Sequence, residues 1–242
     1  MKKVNFSNKS DIRLGFEIEC VIKDTAVRRN LHDNPSWSFW KKTNKLTQFK
    51  NELKELAHPV IYGYDGSIEC DDNDTAAELR TPPLPPKDAM LLLKQVFDIV
   101  NKYGYTNSSC GFHVNISSAH KSKMRDFNPL PFLSSKLWNE ILSEFKRGTN
   151  EYCRHVIRNS KKHMSKIRLL NALLERSEQK YRCVNLRNFG NGQGKRSRVE
   201  IRGFGNKDYS NKYDTIAEYV KRIERLFKLC CSTFSEQRVP NV

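Results

Sequence analysis

The stretch Gly15-Phe16-Glu17-Ile18-Glu19 alternates apolar side chains with carboxylates. A β-strand directs successive side chains to opposite faces, so we expect Glu17 and Glu19 on one face and Phe16 and Ile18 on the other. Two like charges on neighbouring positions of one face repel each other, which costs free energy unless a cation lies between them. The stretch therefore predicts a strand with one face in a core and one acidic, cation-binding face.

The composition is that of a polar globular protein. The 242 residues are 38% hydrophobic and 29% charged, enough for one large domain or two small ones with a real core. No apolar run is long enough to span a bilayer, and the basic residues 1–11 lack the apolar stretch of a signal peptide. The seven cysteines include no Cys-x-x-Cys pair, so we expect reduced thiols, no disulfide and a cytoplasmic protein.

The net charge of +16, from 43 basic and 27 acidic residues, favours anionic partners. Such a partner would be a nucleotide, a nucleic acid, an acidic polymer or an acidic protein. The alternative explanation of the charge is a soluble surface rich in lysine. A predicted helix has a basic run that largely shares one side: Arg154, Arg158, Lys161, Lys162 and Arg168. This run is expected either to face solvent or to receive an acidic macromolecular substrate.

Hydrophobic periodicity predicts one domain over residues 1–242, since no repeat, low-complexity stretch or clear linker interrupts the chain. The predicted strands lie at 14–22, 61–64 with 67–70, 76–81, 110–116, 182–187 and 198–204. The predicted helices lie at 45–57, 86–103, 134–178 and 212–234, the third as two helices broken near Gly148.

Four of the predicted strands show the same alternation. The further polar positions that share a face are Glu78 with Arg80, His113 with Asn115, and Glu200 with Arg198 and Arg202. Such strands can form one sheet with helices on its apolar side, which gathers these residues beside Glu17 and Glu19. Carboxylates with a histidine suit Mg²⁺ or Mn²⁺, and arginines match phosphate oxygens. One such strand would ordinarily mean a solvated face, but four together predict a site for a metal and a triphosphate.

In chain order, these motifs resemble those of a known family. They are Gly15-Phe16-Glu17-Ile18-Glu19, Asp65-Gly66-Ser67, Glu78-Leu79-Arg80-Thr81-Pro82-Pro83-Leu84, Cys110-Gly111-Phe112-His113-Val114-Asn115, Arg182 with Asn185, and Val199-Glu200-Ile201-Arg202. The set resembles the amidoligases of the carboxylate–amine ligase superfamily, relatives of glutamine synthetase and glutamate–cysteine ligase. The resemblance implies an α+β, glutamine-synthetase-like fold: a curved, mainly antiparallel sheet with helices packed on its convex apolar face.

The resemblance also implies a function, the ATP- and Mg²⁺- or Mn²⁺-dependent joining of a carboxylate to an amine through an acyl phosphate. The family's metal positions fall on Glu17, Glu19, Glu78, His113 and Glu200. Arg202 matches the arginine near the γ-phosphate, so the expected catalytic residues are Glu200, Arg202 and Glu78. The expected nucleotide or substrate contacts are Arg182, Asn185, Arg80 and Arg198.

Other positions leave alternatives open. Ser67, with Asp65, matches a family motif for cofactor binding, but Asp65 and the glycine after it are also an ordinary hairpin turn. Asn115 departs from the family, because many relatives have a second histidine there. Residues 23–60 are expected to be an insertion, whose aromatic residues and lysines either form a small satellite core or stack on a base or substrate.

Two other functions fit the same residues. A metal-dependent nuclease would use acidic ligands on strands and a basic chain equally well, although Arg80 occupies the place of a catalytic lysine next to Glu78. A non-catalytic binding protein on a ligase-like fold would bind nucleic acid or an acidic protein in a salt-sensitive way. The ligase hypothesis leaves the substrates open to small-molecule or peptide carboxylates and amines.

Overall fold

The computed structural model describes residues 11–24, 26–31, 34–42, 44–119, 124, 127–148, 153, 182–189 and 197–232. Its strands are β1 (Ile12–Ile22), β2 (Ala26–Leu31), β3 (Asn34–Lys42), β4 (Ile61–Gly63), β5 (Thr75–Arg80), β6 (Gly104–Tyr105), β7 (Gly111–Ser118), β8 (Val184–Asn185) and β9 (Val199–Gly205). Its α-helices are α1 (Lys45–Lys54), α2 (Pro86–Tyr103), α3 (Pro129–Leu133), α4 (Leu137–Glu144) and α5 (Tyr213–Ser232). A turn of 3-10 helix at Tyr209–Asn211 precedes α5.

β1 lies at the centre of the main sheet. The strand order is β4-β5-β1-β7-β9-β8, every adjacent pair is antiparallel, and β6 pairs with the end of β1. β2 and β3 form a separate two-stranded antiparallel sheet. The predicted α+β architecture with a mainly antiparallel sheet is therefore confirmed.

Helices cover the apolar face of the main sheet. Phe16 and Ile18 of β1 and Phe112 of β7 are fully buried, and α2 packs against β1 while α4 packs against β9. The ring of Phe97, on α2, meets the Phe112 ring edge-on at 5.7 Å between centroids, and Phe16 stacks on Phe112 at 5.6 Å. Each such side chain contributes about 1.5–3 kcal/mol on burial. This packing determines which face of β1 turns inward, so Glu17 points to the opposite face.

The start and end of α2 follow from the residues at its termini. Pro86 occupies the first turn, where its missing N–H needs no partner, and Asp88 places negative charge at the positive end of the helix dipole. The helix ends at Tyr103, immediately before Gly104, which confirms the predicted range 86–103. None of the helices in the described part of the chain has the length and apolar character that a membrane crossing requires.

β9 contains a β-bulge opposite His113. The pairs on either side of it are Phe112 with Phe204 and Val114 with Ile201. β9 therefore uses one more residue than β7 over this interval, and Arg202 and Gly203 both lie opposite His113. Bulges of this kind re-aim side chains and are frequent beside functional sites.

The bulge changes the alternation along β9. Strict alternation would place Phe204 on the same face as Glu200, but the extra residue returns Phe204 to the core, where it is fully buried. Gly203 has room for no side chain, because a Cβ there would lie 2.8 Å from Cys183 Sγ. The backbone N–H of Arg202 donates to Cys183 O at 2.7 Å, which ties the bulge to the residue before β8.

The predicted strand at 67–70 is wrong. Asp65 Oδ1 accepts hydrogen bonds from both the N–H and the hydroxyl of Ser67, which closes a turn. Glu69 then bonds through its N–H to Ser109 Oγ and through its carbonyl to Asn107 Nδ2. The side chains of Ser109 and Asn107 thus bond to the N–H and carbonyl groups of Glu69, which in a strand would pair with the backbone of a neighbouring strand.

Other elements differ from the prediction in extent. The predicted strand at 182–187 is reduced to the two residues of β8, and the first helix ends at Lys54 rather than at 57. The hairpin of β2 and β3 was not predicted within 23–60. Only α4 is described from the predicted helical segment 134–178, and its basic run lies outside the described residues.

Candidate active site

Three rows of directly opposed residues cross the face of the sheet that points away from the helices. The rows are Glu78 with Glu19; Arg80 with Glu17 and His113; and Asn115 with Glu200 and Asn185. Directly opposed residues of an antiparallel pair point to the same face. The structure therefore brings together residues from β5, β1, β7, β9 and β8, as the alternation predicted for four of these strands.

His113 lies at the centre of the carboxylates. Its Nδ1 is 3.1 Å from Glu17 Oε2 and 3.7 Å from Glu200 Oε1, and its Nε2 is 3.7 Å from Glu19 Oε1. Possible ligand atoms of Glu17, His113 and Glu200 all lie within 4.8 Å of one another. A tautomer with the proton on Nδ1 would donate to Glu17 and leave the Nε2 lone pair free.

Glu17 is stabilised in its ionised form. Burial alone would raise its pKa, but the hydrogen bond and charge of His113, the amide of Asn115 and the charge of Arg198 outweigh burial and lower the pKa to about 2. Asn115 connects two of these groups, because its Nδ2 donates to Glu17 Oε1 at 3.1 Å and its Oδ1 accepts from Arg198 Nε at 2.8 Å. The residue that departs from the family pattern therefore links an acid to an arginine.

Glu78 has the opposite environment. Burial, followed by the charges of Glu17, Asp65 and Glu19, raises the pKa of Glu78 in spite of Arg80, whose Nε lies 3.4 Å from the carboxylate. Glu19, directly opposite, is almost fully buried and accepts a hydrogen bond from the N–H of Gly111 at 2.5 Å. At this end of the site, burial and the nearby carboxylates therefore disfavour the ionised form of Glu78.

Both carboxylate oxygens of Glu200 accept hydrogen bonds. Arg202 Nη1 donates to Oε1 at 2.6 Å, and Asn185 Nδ2 donates to Oε2 at 2.9 Å. Glu200 is 5% exposed, so these bonds hold it in one orientation beside His113. Within the part of the chain that the structure describes, the buried Nε of Arg202 has no hydrogen-bond acceptor.

Two predicted contact residues lie at the edges of this arrangement. Ser67 is exposed and bonded to Asp65 in the turn after β4, and the charge of Asp65 contributes to the raised pKa of Glu78. Arg182 is half-buried and lies just before Cys183 at the β8 end of the sheet. The sequence predicts that the five candidate metal ligands share one face of the sheet. The structure places all five on one connected patch: Glu17, Glu19, Glu78, His113 and Glu200.

The donor set fits a divalent cation. Carboxylate oxygens with one imidazole nitrogen suit Mg²⁺ or Mn²⁺, and a bound cation would relieve the repulsion between the directly opposed Glu78 and Glu19. Three arginines lie beside the acids: Arg80, Arg198 and Arg202. Their positive charge complements the negative charge of phosphate oxygens. The patch can therefore hold a cation beside an anionic ligand.

Comparison with known proteins adds independent findings. A family model described as putative amidoligase enzyme matches residues 10–207. A cryo-EM structure of glutamine synthetase from Plasmodium falciparum aligns at 11% identity with a TM-score of 0.45, over 90% of this chain and 52% of that chain. The chain thus spans about half the length of that glutamine synthetase. No curated protein matches the chain.

Proposed function

The chain belongs to the amidoligase family, and from this premise we propose that it is an ATP- and divalent-metal-dependent ligase that joins a carboxylate to an amine. The observation that supports this most is the cluster of Glu17, His113 and Glu200 with Arg202 bonded to Glu200. In this proposal the three clustered residues are cation ligands, and Arg202 is the phosphate-binding group beside them on the same sheet.

The reaction answers a chemical need. A free carboxylate is a poor electrophile, so one of its oxygens attacks the γ-phosphorus of ATP, and the bond from that phosphorus to the ADP oxygen breaks. The product is an acyl phosphate with a good leaving group. The amine nitrogen then attacks the acyl carbon, phosphate leaves with the C–O bond electrons, and the nitrogen loses a proton to give the amide.

The metal ligands in this proposal are Glu17, Glu19, Glu78, His113 and Glu200. A bound Mg²⁺ or Mn²⁺ supplies neutralisation of phosphate charge. Glu200 positions Arg202 through the 2.6 Å bond, so the guanidinium can stabilise the transferring phosphoryl group. Glu200, Arg202 and Glu78 are thus the proposed catalytic residues.

The nucleotide and substrate contacts are proposed from position. Arg198, held by Asn115, and Arg80, beside Glu78, lie on the same face as the acids. Asn185 acts through its bond to Glu200. Arg182 and Ser67 remain predictions for nucleotide or substrate contact at the two ends of the patch.

The test uses ATP, Mg²⁺, a panel of amino acids as carboxylate donors, and hydroxylamine as the amine. An acyl phosphate would give a hydroxamate together with an equal amount of ADP. Glu200→Gln should lower this rate at least about 100-fold, because it removes a ligand charge and the anchor of Arg202. Glu140→Gln, an exposed acid on α4, removes the same charge outside the site and should leave the rate unchanged.

Binding separates the proposal from its alternatives. If the wild type binds no ATP analogue at millimolar Mg²⁺, the ligase proposal is wrong. Metal-dependent cleavage of DNA or RNA that Glu17→Gln abolishes would instead favour a nuclease, for which the family match offers no support. Salt-sensitive binding of an acidic protein that Glu19→Gln leaves unchanged would favour a non-catalytic binding protein.

A further inference from the structure

Tyr209 is a fully buried tyrosine that the predicted site does not include. It begins the turn of 3-10 helix between β9 and α5, and its ring packs on the apolar face of the main sheet. The ring stacks on Phe112 at 5.7 Å between centroids and meets Phe97 edge-on at 5.9 Å. Its hydroxyl reaches the backbone of the sheet, where it donates to Glu19 O at 2.6 Å and lies 3.2 Å from Gly111 O. A phenylalanine would fill the same space in the core, so the contribution specific to tyrosine is this hydroxyl bond.

The hydroxyl bonds at the point where the regular pairing of β1 with β7 ends. The last registered pair is Ile18 with Phe112, so Glu19 and Gly111 come next along the two strands. Beyond them, β1 pairs with β6 instead, starting at Val21. The carbonyl of Glu19 therefore lies where one partner strand gives way to another.

Tyr209 takes the place of a backbone hydrogen bond in this ladder. The carbonyl of Phe16 accepts from the N–H of Thr81 on the β5 side of β1, so the carbonyl of Glu19, three residues later, points towards β7. In a regular antiparallel pair this carbonyl would accept from the N–H of Gly111. Instead it accepts from Tyr209, and the N–H of Gly111 donates to Glu19 Oε2 at 2.5 Å. The N–H that the ladder would have used holds a carboxylate.

This exchange of partners places the Glu19 carboxylate beside His113. Its Oε2 is held by Gly111, and its Oε1 lies 3.7 Å from His113 Nε2. A Cβ on Gly111 would lie 3.0 Å from Glu19 Oε2 and 2.9 Å from His113 Nε2, so both groups lie close over bare backbone. One bond from the acidic face and one from the core side together determine where this carboxylate lies.

The residues before Tyr209 explain its position beneath this pair. Asn206 and Asp208 have φ angles of 81° and 59°, in the left-handed region that Asn and Asp tolerate better than most residues. Their N–H groups donate to Cys110 O at 2.8 Å and to Thr106 O at 3.0 Å, which ties the turn after β9 to the segment before β7. Burial raises the pKa of Tyr209, so its phenol keeps the proton that it donates.

We propose that Tyr209 is a positioning residue for cation binding, which acts through Glu19 from the opposite side of the sheet. By occupying the Glu19 carbonyl, its hydroxyl keeps the Gly111 N–H on the Glu19 carboxylate and holds that ligand beside His113. Without the hydroxyl, the N–H would return to the carbonyl, extend the ladder and release the carboxylate. That the cation serves a ligase rests on the proposed function, whereas the exchange of hydrogen bonds does not.

The first measurement is the affinity for Mn²⁺, followed by the electron paramagnetic resonance signal of the free ion. Tyr209→Phe should raise the Mn²⁺ Kd about 10-fold or more, the size expected when a group that orients a metal ligand is removed. Tyr213→Phe is the matched control, because it also removes a hydroxyl that donates to a backbone carbonyl, Met90 O on α2 at 3.1 Å. The control should leave the Kd within about twofold of wild type.

A double-mutant cycle separates positioning from a general loss of stability. In a Glu19→Gln background, Tyr209→Phe should change the Mn²⁺ Kd less than about twofold, because the side chain through which it acts has lost its charge. NMR of the metal-free protein reports the hydrogen bond itself. The Gly111 amide proton, bonded to a carboxylate in wild type, should resonate at low field and move upfield in both Tyr209→Phe and Glu19→Gln.

The outcomes distinguish this inference from the proposed function. Mn²⁺ binding that depends on Tyr209 in a protein that forms no hydroxamate would support the inference and not the ligase. Equal weakening by Tyr209→Phe with and without the Glu19 carboxylate would overturn the inference even in an active ligase, and so would a wild type that binds no Mn²⁺. If Tyr209→Phe does not fold, the Gly111 amide of the folded proteins decides. An upfield shift in Glu19→Gln supports the inference, and an unchanged signal overturns it.

Discussion

Two isosteric substitutions in the acidic patch should change the stability of the metal-free protein in opposite directions. Glu17→Gln removes a charge that His113, Asn115 and Arg198 stabilise, so it should destabilise the fold. Glu78→Gln removes a charge that burial and the nearby carboxylates disfavour, so it should stabilise the fold. The two residues lie on adjacent strands of one face, which makes each a control for the other.

The magnitude for Glu17 follows from its pKa. The fall from 4.5 to about 2, at roughly 1.36 kcal/mol per unit, sets an upper limit of about 3 kcal/mol. Because the folded-state pKa is depressed, this stability is fully present above the unfolded value of 4.5 and is lost as pH falls towards 2. Glu17→Gln should therefore lower Tm by about 3–10 °C at pH 7, and the difference from wild type should shrink between about pH 5 and pH 2.

The effect of Glu78 is smaller and has the opposite sign. Its folded-state pKa is raised, so the ionised side chain destabilises the fold above that pKa and has no effect once both states are protonated. Relief of repulsion from the directly opposed Glu19 contributes about 0.2–1 kcal/mol, which corresponds to a rise in Tm of about 1–3 °C. Thermal unfolding followed by circular dichroism in a chelator measures both variants. Shifts of the same sign in both would refute the assignment of opposite electrostatic environments.

Three further outcomes are expected. Mg²⁺ or Mn²⁺ at about 100 times its Kd should add roughly 2.7 kcal/mol to the free energy of unfolding. His113→Ala should lose most of this gain. A metal-induced thermal shift that is the same in His113→Ala as in wild type would contradict the metal site. Arg202→Lys should lower kcat for hydroxamate formation by about 10²–10³-fold while nucleotide Kd changes far less, measured by turnover and calorimetry. Gly203→Ala should destabilise the fold by about 1–3 kcal/mol in denaturant unfolding, because its Cβ would lie 2.8 Å from a buried sulfur, whereas Gly66→Ala, with only ordinary contacts, should stay within about 0.5 kcal/mol.

The residues of the acidic face could be predicted because alternation is a local property of each strand. Glu17, Glu78, His113 and Glu200 each lie between apolar residues that the helices bury, and the core leaves one orientation for them. The bounds of α2 could also be predicted from nearby residues, since a proline at its start and a glycine after its end determine them.

Other features depend on contacts between distant parts of the chain. Strand order and register do not follow from any one strand, and the turn at Ser67 is determined by Asp65 and by side chains from the segment before β7. The sequence contains one indication of the bulge in β9. Gly203 lies inside a predicted strand, and alternation would assign the apolar Phe204 after it to the acidic face.

The backbone of Arg202 is hydrogen-bonded to a different part of the chain from its neighbours in the patch. Its N–H is bonded to Cys183 and its carbonyl to Cys153, whereas His113 and Glu17 belong to the central strands. β8, a strand of two residues at the edge of the sheet, begins directly after Cys183. In the proposed ligase, displacement of this edge would disturb Arg202 together with Glu200, to which Asn185 of β8 also donates, while Glu17 and His113 keep their pairing within the central strands.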